Sequence, residues 1–393
     1  MASNTKIGLL IGIIVIIAIG AWVTSTTDLE DIKEDIAISN ATELREIDGK
    51  SGNYYLSCDI DLSNEPWTPL KEIRGTLDGN NHMIKGLDNP LCEKCEGKVR
   101  NLVLESVNIQ GNSVGAVTIS NGDSGKINDV TVTGTIIGTN YVGGIAGYSI
   151  GHVTNCTNNS SITGLTYVGG IVGYGTSLND CNNTGTITGT GLDSDSRICL
   201  GGVAGAIKGS ISNCNNVGDI HSTSSGKRVG GVVGWISTND DIKNLSNEGS
   251  VKSNGNSTGG IVGCIEPTDD DANEVILLTN CTNRGYITNS AIFTGGIVGS
   301  TISKQYGVLW TSYPHINLVS CINEVNITGK DYVGGYVGHG EKTNINGLSN
   351  GYEINGSSYV GGIAGYTSGS VNNCSNSGTV KATGHHAGGI AGQ

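Results

Sequence analysis

Nine times between residues 143 and 388 the chain returns to a pair of glycines set among small aliphatic residues, as in VGGIVG at 168–173. The first glycines of these pairs are Gly143, Gly169, Gly201, Gly230, Gly259, Gly295, Gly334, Gly361 and Gly388. Their spacings are 26, 32, 29, 29, 36, 39, 27 and 27 residues. A degenerate copy, SVGAVTIS around Gly115, lies one period upstream. The unit is therefore about 27 residues, and the surplus in the longer copies is loop. A unit that short cannot bury a core of its own, whereas stacked units bury one another's faces.

A second landmark fixes the register. Each unit carries an N-C-x-N-like segment, with Cys156, Cys181, Cys214, Cys281, Cys321 and Cys374 in one place, and Leu245 and Leu348 in that same place elsewhere. Cys and Leu exchanging at one position mark an inward apolar slot, where a free cysteine acts as a small hydrophobe. The expected fold is all-β: a parallel β-helix (β-solenoid) of about ten coils. Equivalent residues then form ladders of Val/Ile, Cys/Leu and Asn at the strand spacing of about 4.8 Å. Glycine allows the sharp turns, and stacked Asn side chains can bond along the axis. The 63 glycines show no three-residue period, which excludes collagen, and 36% apolar with 15% charged residues argues against simple disorder.

Two aromatic series follow the same period. Tyr141, Tyr167, Phe293, Tyr332 and Tyr359 lie two before a glycine pair; Tyr148, Tyr174, Trp235 and Tyr366 lie five after its first member. Regular recurrence reads as structural stacking, and the parity through the double glycine leaves open which series faces out.

The N-terminus differs in kind. Ile7 to Val23 is a 17-residue apolar run preceded by Lys6, at the short end for a spanning helix. It is read as a transmembrane or signal-anchor helix, with cleavage after an Ala18-Ile19-Gly20 pattern as the alternative. The acidic flank that follows places the bulk of the chain outside, anchored to the cell membrane by its N-terminus. The expected divisions are 1–23 membrane anchor or signal segment, 24–50 polar stalk and cap, 51–114 cap coils and 115–393 repeat solenoid. Short helices are expected in DLEDIKEDI and ATELREI. A net charge of −13 without a Lys/Arg cluster excludes a nucleic-acid partner.

The segments GNYYLSCDIDLSNEPWTPL, GTLDGNNHMIKGL and GKVRNLVLESVNIQGNSVGAV, followed by serial VGGIVG, resemble the GLUG-repeat proteins. The resemblance covers about residues 40 to 393. It implies surface-exposed or secreted β-helical modules, found in adhesins and beside the catalytic domain of immunoglobulin-A-cleaving metallopeptidases, where repeats serve as stalks or binding surfaces. PLCEKCEG departs from the family's usual Gly-Leu-Phe-Gly turn, and no catalytic motif is available to carry over.

No His-Glu-x-x-His occurs among the seven histidines, and no G-x-S-x-G sits in a strand–turn–helix context. Catalytic residues are therefore not expected. Cys92 and Cys95 form a C-x-x-C that could, with Cys58 and His82, complete a Cys₃His zinc site. A local disulfide or reduced structural thiols are the alternatives, and eleven cysteines leave at least one unpaired. Eleven Asn-x-Ser/Thr sequons occur, among them Asn40, Asn158, Asn182, Asn244, Asn256, Asn326 and Asn355; many arise by chance in so polar a chain.

The loop surplus is the most informative irregularity. From glycine pair to ladder residue the baseline is 13 residues, growing to 22 in the unit at Gly259 and 26 in the unit at Gly295. Both insertions fall at the same corner of consecutive units. They would bring Glu266, Asp269, Asp270 and Asp271 beside Tyr306, Trp310, Tyr313 and His315, with Trp235 one coil below. Flat aromatic faces suit sugar rings, and clustered carboxylates suit Ca²⁺ or sugar hydroxyls; no other cofactor is expected. The competing reading is that Trp310 and Tyr313 pin a long loop to the wall. Asp193 and Asp195, in another surplus, are read as solvated loop. The function expected is a non-catalytic cell-surface solenoid for adhesion or spacing, binding glycans or neighbouring surface proteins at the 264–276/300–316 corner. The alternatives are a carbohydrate-active β-helix enzyme, a repeat fragment of a larger surface protein or peptidase, or a surface subunit that self-associates through its open C-terminal coil.

Overall fold

The computed structural model describes residues 35–191, 198–223, 228–266, 268, 275–302 and 315–393. The apolar run at 7–23 lies outside them. Among the described residues no helix is long and apolar enough to cross a membrane.

From Asp35 to Gln393 the chain is one unit built by pairing each repeat in parallel with the next, the arrangement of a β-solenoid. The glycine pairs stand in register from Gly143 through Gly169, Gly201, Gly230, Gly259, Gly295, Gly334 and Gly361 to Gly388. Another ladder runs Ile162, Ile187, Ile220, Val251, Ile287, Ile327, Ile354 and Val380. The period-2 alternation of a strand sends these aliphatics inward at every level. The ladder residues Cys156, Cys181, Cys214, Leu245, Cys281, Cys321 and Leu348 are at most 3% exposed, in file along the core. Cys374, in the last coil, is half-buried.

The first rung lies inside the segment 24–50, expected to be polar stalk and cap. Asp35–Ile38 pairs with Asn53–Leu56, because its apolar alternation suits a strand; the helix expected in DLEDIKEDI does not reach these residues. Ala41–Arg45 is helical as expected. Asn40 caps it by accepting from the Glu43 amide at 3.0 Å, and Glu43 accepts in return from the Ser39 amide at 2.7 Å, close to a capping box.

The N-C-x-N segment contains two different asparagines. The second points inward: Asn158, Asn183, Asn216, Asn247 and Asn283 are fully buried. Each donates one amide hydrogen to the next in line, Asn158 to Asn183 at 2.7 Å, Asn183 to Asn216 and Asn216 to Asn247 at 2.8 Å, Asn247 to Asn283 at 2.9 Å and Asn283 to Asn323 at 3.0 Å. The other hydrogen goes to the carbonyl two residues on, as from Asn216 to Gly218 at 2.7 Å. Both donors are thus satisfied in a dry environment, where an unmade bond costs about 1–3 kcal/mol. The first asparagine adopts the left-handed region: Asn155, Asp180, Asn213, Asn244, Asn280, Ser320 and Asn373 have φ between 50° and 55°, and Gly347 takes that place at 70°. Short polar side chains tolerate this conformation, and it turns the backbone so that the next residue, Cys or Leu, faces inward.

The second glycine of each pair has its reason here. A Cβ on Gly170, Gly202, Gly231 or Gly260 would collide with the inner amides of Asn183, Asn216, Asn247 and Asn283, and with the carbonyl of the next coil. Gly202→Ala is expected to destabilise the chain by about 2 kcal/mol or more, whereas Gly389→Ala, which meets nothing within 4 Å, is expected to cost under about 0.5 kcal/mol. Urea denaturation of the two variants beside the parent checks this.

Candidate functional site

Three successive coils carry their longer connections between the same two strands. Ile236 pairs with Ile265, and Ile265 with Thr301, so the departing strands stack in register. The returning strands do too: Ile242 pairs with Leu278, and Val275 with His315. The strands that flank 237–241, 266–274 and 302–314 therefore lie on adjacent rungs at both ends. The connections are also tied by polar contacts, the Thr268 amide donating to Asn239 Oδ1 at 3.1 Å and the Leu277 amide to Asp241 Oδ1 at 3.2 Å.

Asp269, Asp270, Asp271, Tyr306, Trp310 and Tyr313 lie outside the described residues, as do Asp193 and Asp195. The remaining members of the expected set are in view. Trp235, half-buried, stands in register between Ala206 and Cys264. Its indole Nε1 donates to Glu266 Oε2 at 3.1 Å, joining two of the coils named in the sequence reading. His315 begins the returning strand, with its Nδ1 3.5 Å from Asn344 Nδ2.

Arg228 is the residue that motif reasoning missed. It occupies the position two before its glycine pair, where Tyr or Phe stands in other coils, and its guanidinium lies 5.5 Å from the Trp235 ring centre. A guanidinium over an indole face is a favourable cation–π pair. Burial pushes the neighbouring Cys264 thiol up, and the nearby Arg228 charge opposes that shift. The departure of Arg228 from the aromatic series was the available signal. Arg228, Trp235 and Glu266 together make a chemically mixed edge to the corner: cation, aromatic ring and carboxylate, suited to hydroxyl-rich ligands.

Both aromatic series face the same outer seam, and this resolves the parity question. Within a series the rings stack, as Tyr141 on Tyr167 at 5.2 Å and 6°, Tyr148 on Tyr174 at 5.2 Å and 13°, and Tyr332 on Tyr359 at 4.5 Å and 3°. Between series they meet edge to face, as Tyr141 with Tyr148 at 5.7 Å and 73°. Rings stacked along the axis spend their faces on one another, leaving chiefly edges for solvent, so the columns serve cohesion.

The C-x-x-C cysteines are core residues. Cys92 stands between Leu70 and Thr118, Cys95 between Ile73 and Asn121. Both thiols are free; burial pushes that of Cys92 well up, and that of Cys95 up to about 12. Cys58 is exposed and donates to the Ser39 carbonyl at 3.2 Å, while His82 Nδ1 lies 3.0 Å from Asp59. The four do not converge, and among the described residues no group of three His, Cys, Asp or Glu side chains could hold a metal.

With this geometry in place, comparison with known proteins adds two matched regions. Residues 51–134 match the N-terminal region of the M26 IgA1-specific metallo-endopeptidases, and residues 356–381 match the GLUG motif. The resemblance to GLUG-repeat proteins therefore stands, and both matched regions belong to repeats associated with surface proteins. An immunoglobulin A1 protease of Streptococcus sanguinis is 31% identical over 107 residues, 24% of this chain and 6% of that protein, so the chain spans a small part of its relative. A crystal structure from Bacteroides ovatus, provisionally described as an immunoglobulin A1 protease, aligns with a TM-score of 0.42 at 20% identity, over 74% of this chain and 84% of that one.

The burial pattern orders the thiols by reactivity. At pH 8 a thiol reagent is expected to modify Cys58 rapidly and Cys374 slowly, and the other nine cysteines only after denaturation. Mass mapping of labelled peptides reads this out, and rapid native labelling of Cys92 or Cys95 would contradict the core placement.

Proposed function

We propose that this GLUG-motif-bearing chain is a non-catalytic cell-surface protein in which the stack acts as stalk and adhesive surface, with glycans bound at the corner formed by 264–276 and 300–316. The observation that supports the reading is the register of the flanking strands, Ile265 on Thr301 and Val275 on His315, since the sequence between them is rich in carboxylates in one coil and in aromatics in the next. The Arg228–Trp235–Glu266 edge adds a described flank of fitting chemistry. The sequence supports a non-catalytic role, since it lacks the zinc-binding and nucleophile motifs sought above.

The localisation is part of the proposal: residues 7–23 anchor the chain and the stack lies outside the membrane. So are the partners, which are the membrane through that segment and glycans or neighbouring surface proteins at the corner. The match of residues 51–134 to the N-terminal region of a metallo-endopeptidase family favours one second reading, in which the stack is the non-catalytic portion accompanying a peptidase.

A glycan array probed with residues 35–393, and with variants carrying Trp235→Ala with Glu266→Ala or Trp310→Ala with Tyr313→Ala, tests the binding site. Binding by the parent and at least tenfold weaker binding by both double variants is expected, since each removed stacking or hydrogen-bonding contact is worth about 1 kcal/mol. Equal binding by parent and variants removes the corner as the site.

A further inference from the structure

One strip of the stack is interrupted. Along the corner that carries the inner asparagines, each coil is joined to the next by two backbone rungs: Thr282 N to Leu245 O and Arg284 N to Asn247 O, then Ile322 N to Cys281 O and Glu324 N to Asn283 O. The pattern resumes with Ser375 N to Leu348 O and Ser377 N to Asn350 O. Between these sets, the rungs expected from Ser349 N to Cys321 O and from Gly351 N to Asn323 O are not formed, and Ser349–Asn350 pairs only with Ser375–Asn376 as a separate two-stranded sheet. The asparagine column breaks at the same level: Asn283 reaches Asn323, and Asn350 reaches Asn376 at 2.8 Å, with no link between Asn323 and Asn350.

Three substitutions within the repeat coincide there. Four residues after the ladder position stand Gly185, Gly218, Gly249 and Gly285, where a Cβ would collide with the carbonyl of the preceding coil. Val325 and Tyr352 hold that place in the two coils flanking the break. Val325 alone is accommodated, since Thr282 and Asn283 still pair with Ile322 and Asn323. With Tyr352 at that place in the next coil the pairing is lost, and the inner amide stands farther from its glycine pair. The shift is measurable inside: a Cβ on Gly335 would lie 3.2 Å from Asn350, against 2.6 Å from Gly296 to Asn323 and less in most other coils. Tyr336, standing where other coils have Ile or Val, fills the opened space at 2% exposure, and its hydroxyl donates to Ser349 O at 2.8 Å.

We propose that this corner is a parting plane at which the coils from Gly334 onward separate from the rest of the stack before the stack unfolds. The other strips remain joined across it, Thr294–Gly295 with Val333–Gly334, Val298 with Val337, Leu318 with Ile345 and Ile327 with Ile354. The plane therefore lacks one strip's worth of cohesion while its neighbours keep theirs. In a linear array each interface contributes separately, so the weakest one sets where the array divides. The unit released is a pre-formed block, held internally by the Ser349–Ser375 and Asn350–Asn376 contacts.

Amide hydrogen exchange on the full chain tests this. If the chain merely frayed from its end, protection would fall steadily toward Gln393, with the amides of Tyr336, Ile345 and Ile354, bonded within the block, exchanging faster than those of Ile297, Val298 and Ile327, bonded across the plane. A parting plane gives the reverse order: Ile297, Val298 and Ile327 exchange no slower than Tyr336, Ile345 and Ile354, and at least about tenfold faster than Ile261 and Val262, which are bonded one coil below. Tyr352→Gly combined with Val325→Gly and Tyr336→Ile is expected to restore the missing rungs and raise protection of Ser349 and Gly351 about tenfold. Tyr336→Phe, a change too small to prevent folding, removes only the hydroxyl that holds Ser349 O within its own coil, and is expected to speed exchange across 335–360 while leaving 140–260 unchanged. A steady gradient toward the C-terminus, unaltered in these variants, overturns the proposal.

Discussion

A primary amide buried in a dry core must find partners for two hydrogens and an oxygen, and here it finds them one rung away in its own kind. The inner asparagine column imposes register as no aliphatic ladder could, because a Val or Ile can slide along its neighbours while an amide chain bonds only when each link faces the next. It also explains the repeat's other signature. The paired glycine is the wall against which that amide lies, so the two motifs, about 15 residues apart in sequence, are one structural device. The sparse apolar content then suffices: much of the cohesion comes from backbone and side-chain bonds repeated at every level, with the Val/Ile and Cys/Leu columns excluding water from them.

Much of this was legible in the sequence, because a period is visible without any knowledge of contacts. The spacing of Gly143 to Gly388 sets the coil, and Cys exchanging with Leu identifies an inward slot. What stayed hidden was geometry within the unit. The two asparagines of N-C-x-N look alike as letters, yet Asn155 turns the chain with a left-handed backbone and Asn158 bonds in the core. Asp180, Gly347 and the other occupants of the first position share a tolerance for positive φ, and that common property was the readable clue. The aromatic series could not be assigned from parity, because a tight double-glycine turn puts residues seven apart on one side of the wall.

The corner illustrates the same limit from the functional side. Counting residues between landmarks locates two insertions on successive coils, and the strands that flank them pair on adjacent rungs. Counting cannot reveal that Arg228 takes an aromatic's place and lies over Trp235, nor that Trp235 is held by Glu266. The departures at Val325, Tyr336 and Tyr352 were likewise plain letters in the alignment of units. Their meaning appears only when the collision each glycine avoids is seen. In a regular stack, chemistry and mechanical individuality both reside where the repeat is broken.

The register of the stack rests on amides bonding between coils, and a double-mutant cycle on Asn216 and Asn247 tests that most directly. Unfolding free energies of Asn216→Ala, Asn247→Ala and the double variant should reveal a coupling of about 1 kcal/mol or more, while the distant pair Asn158 and Asn283 adds to within about 0.5 kcal/mol. Strict additivity for Asn216 and Asn247 would mean that the column bears no shared load, and the stack would need another source of register.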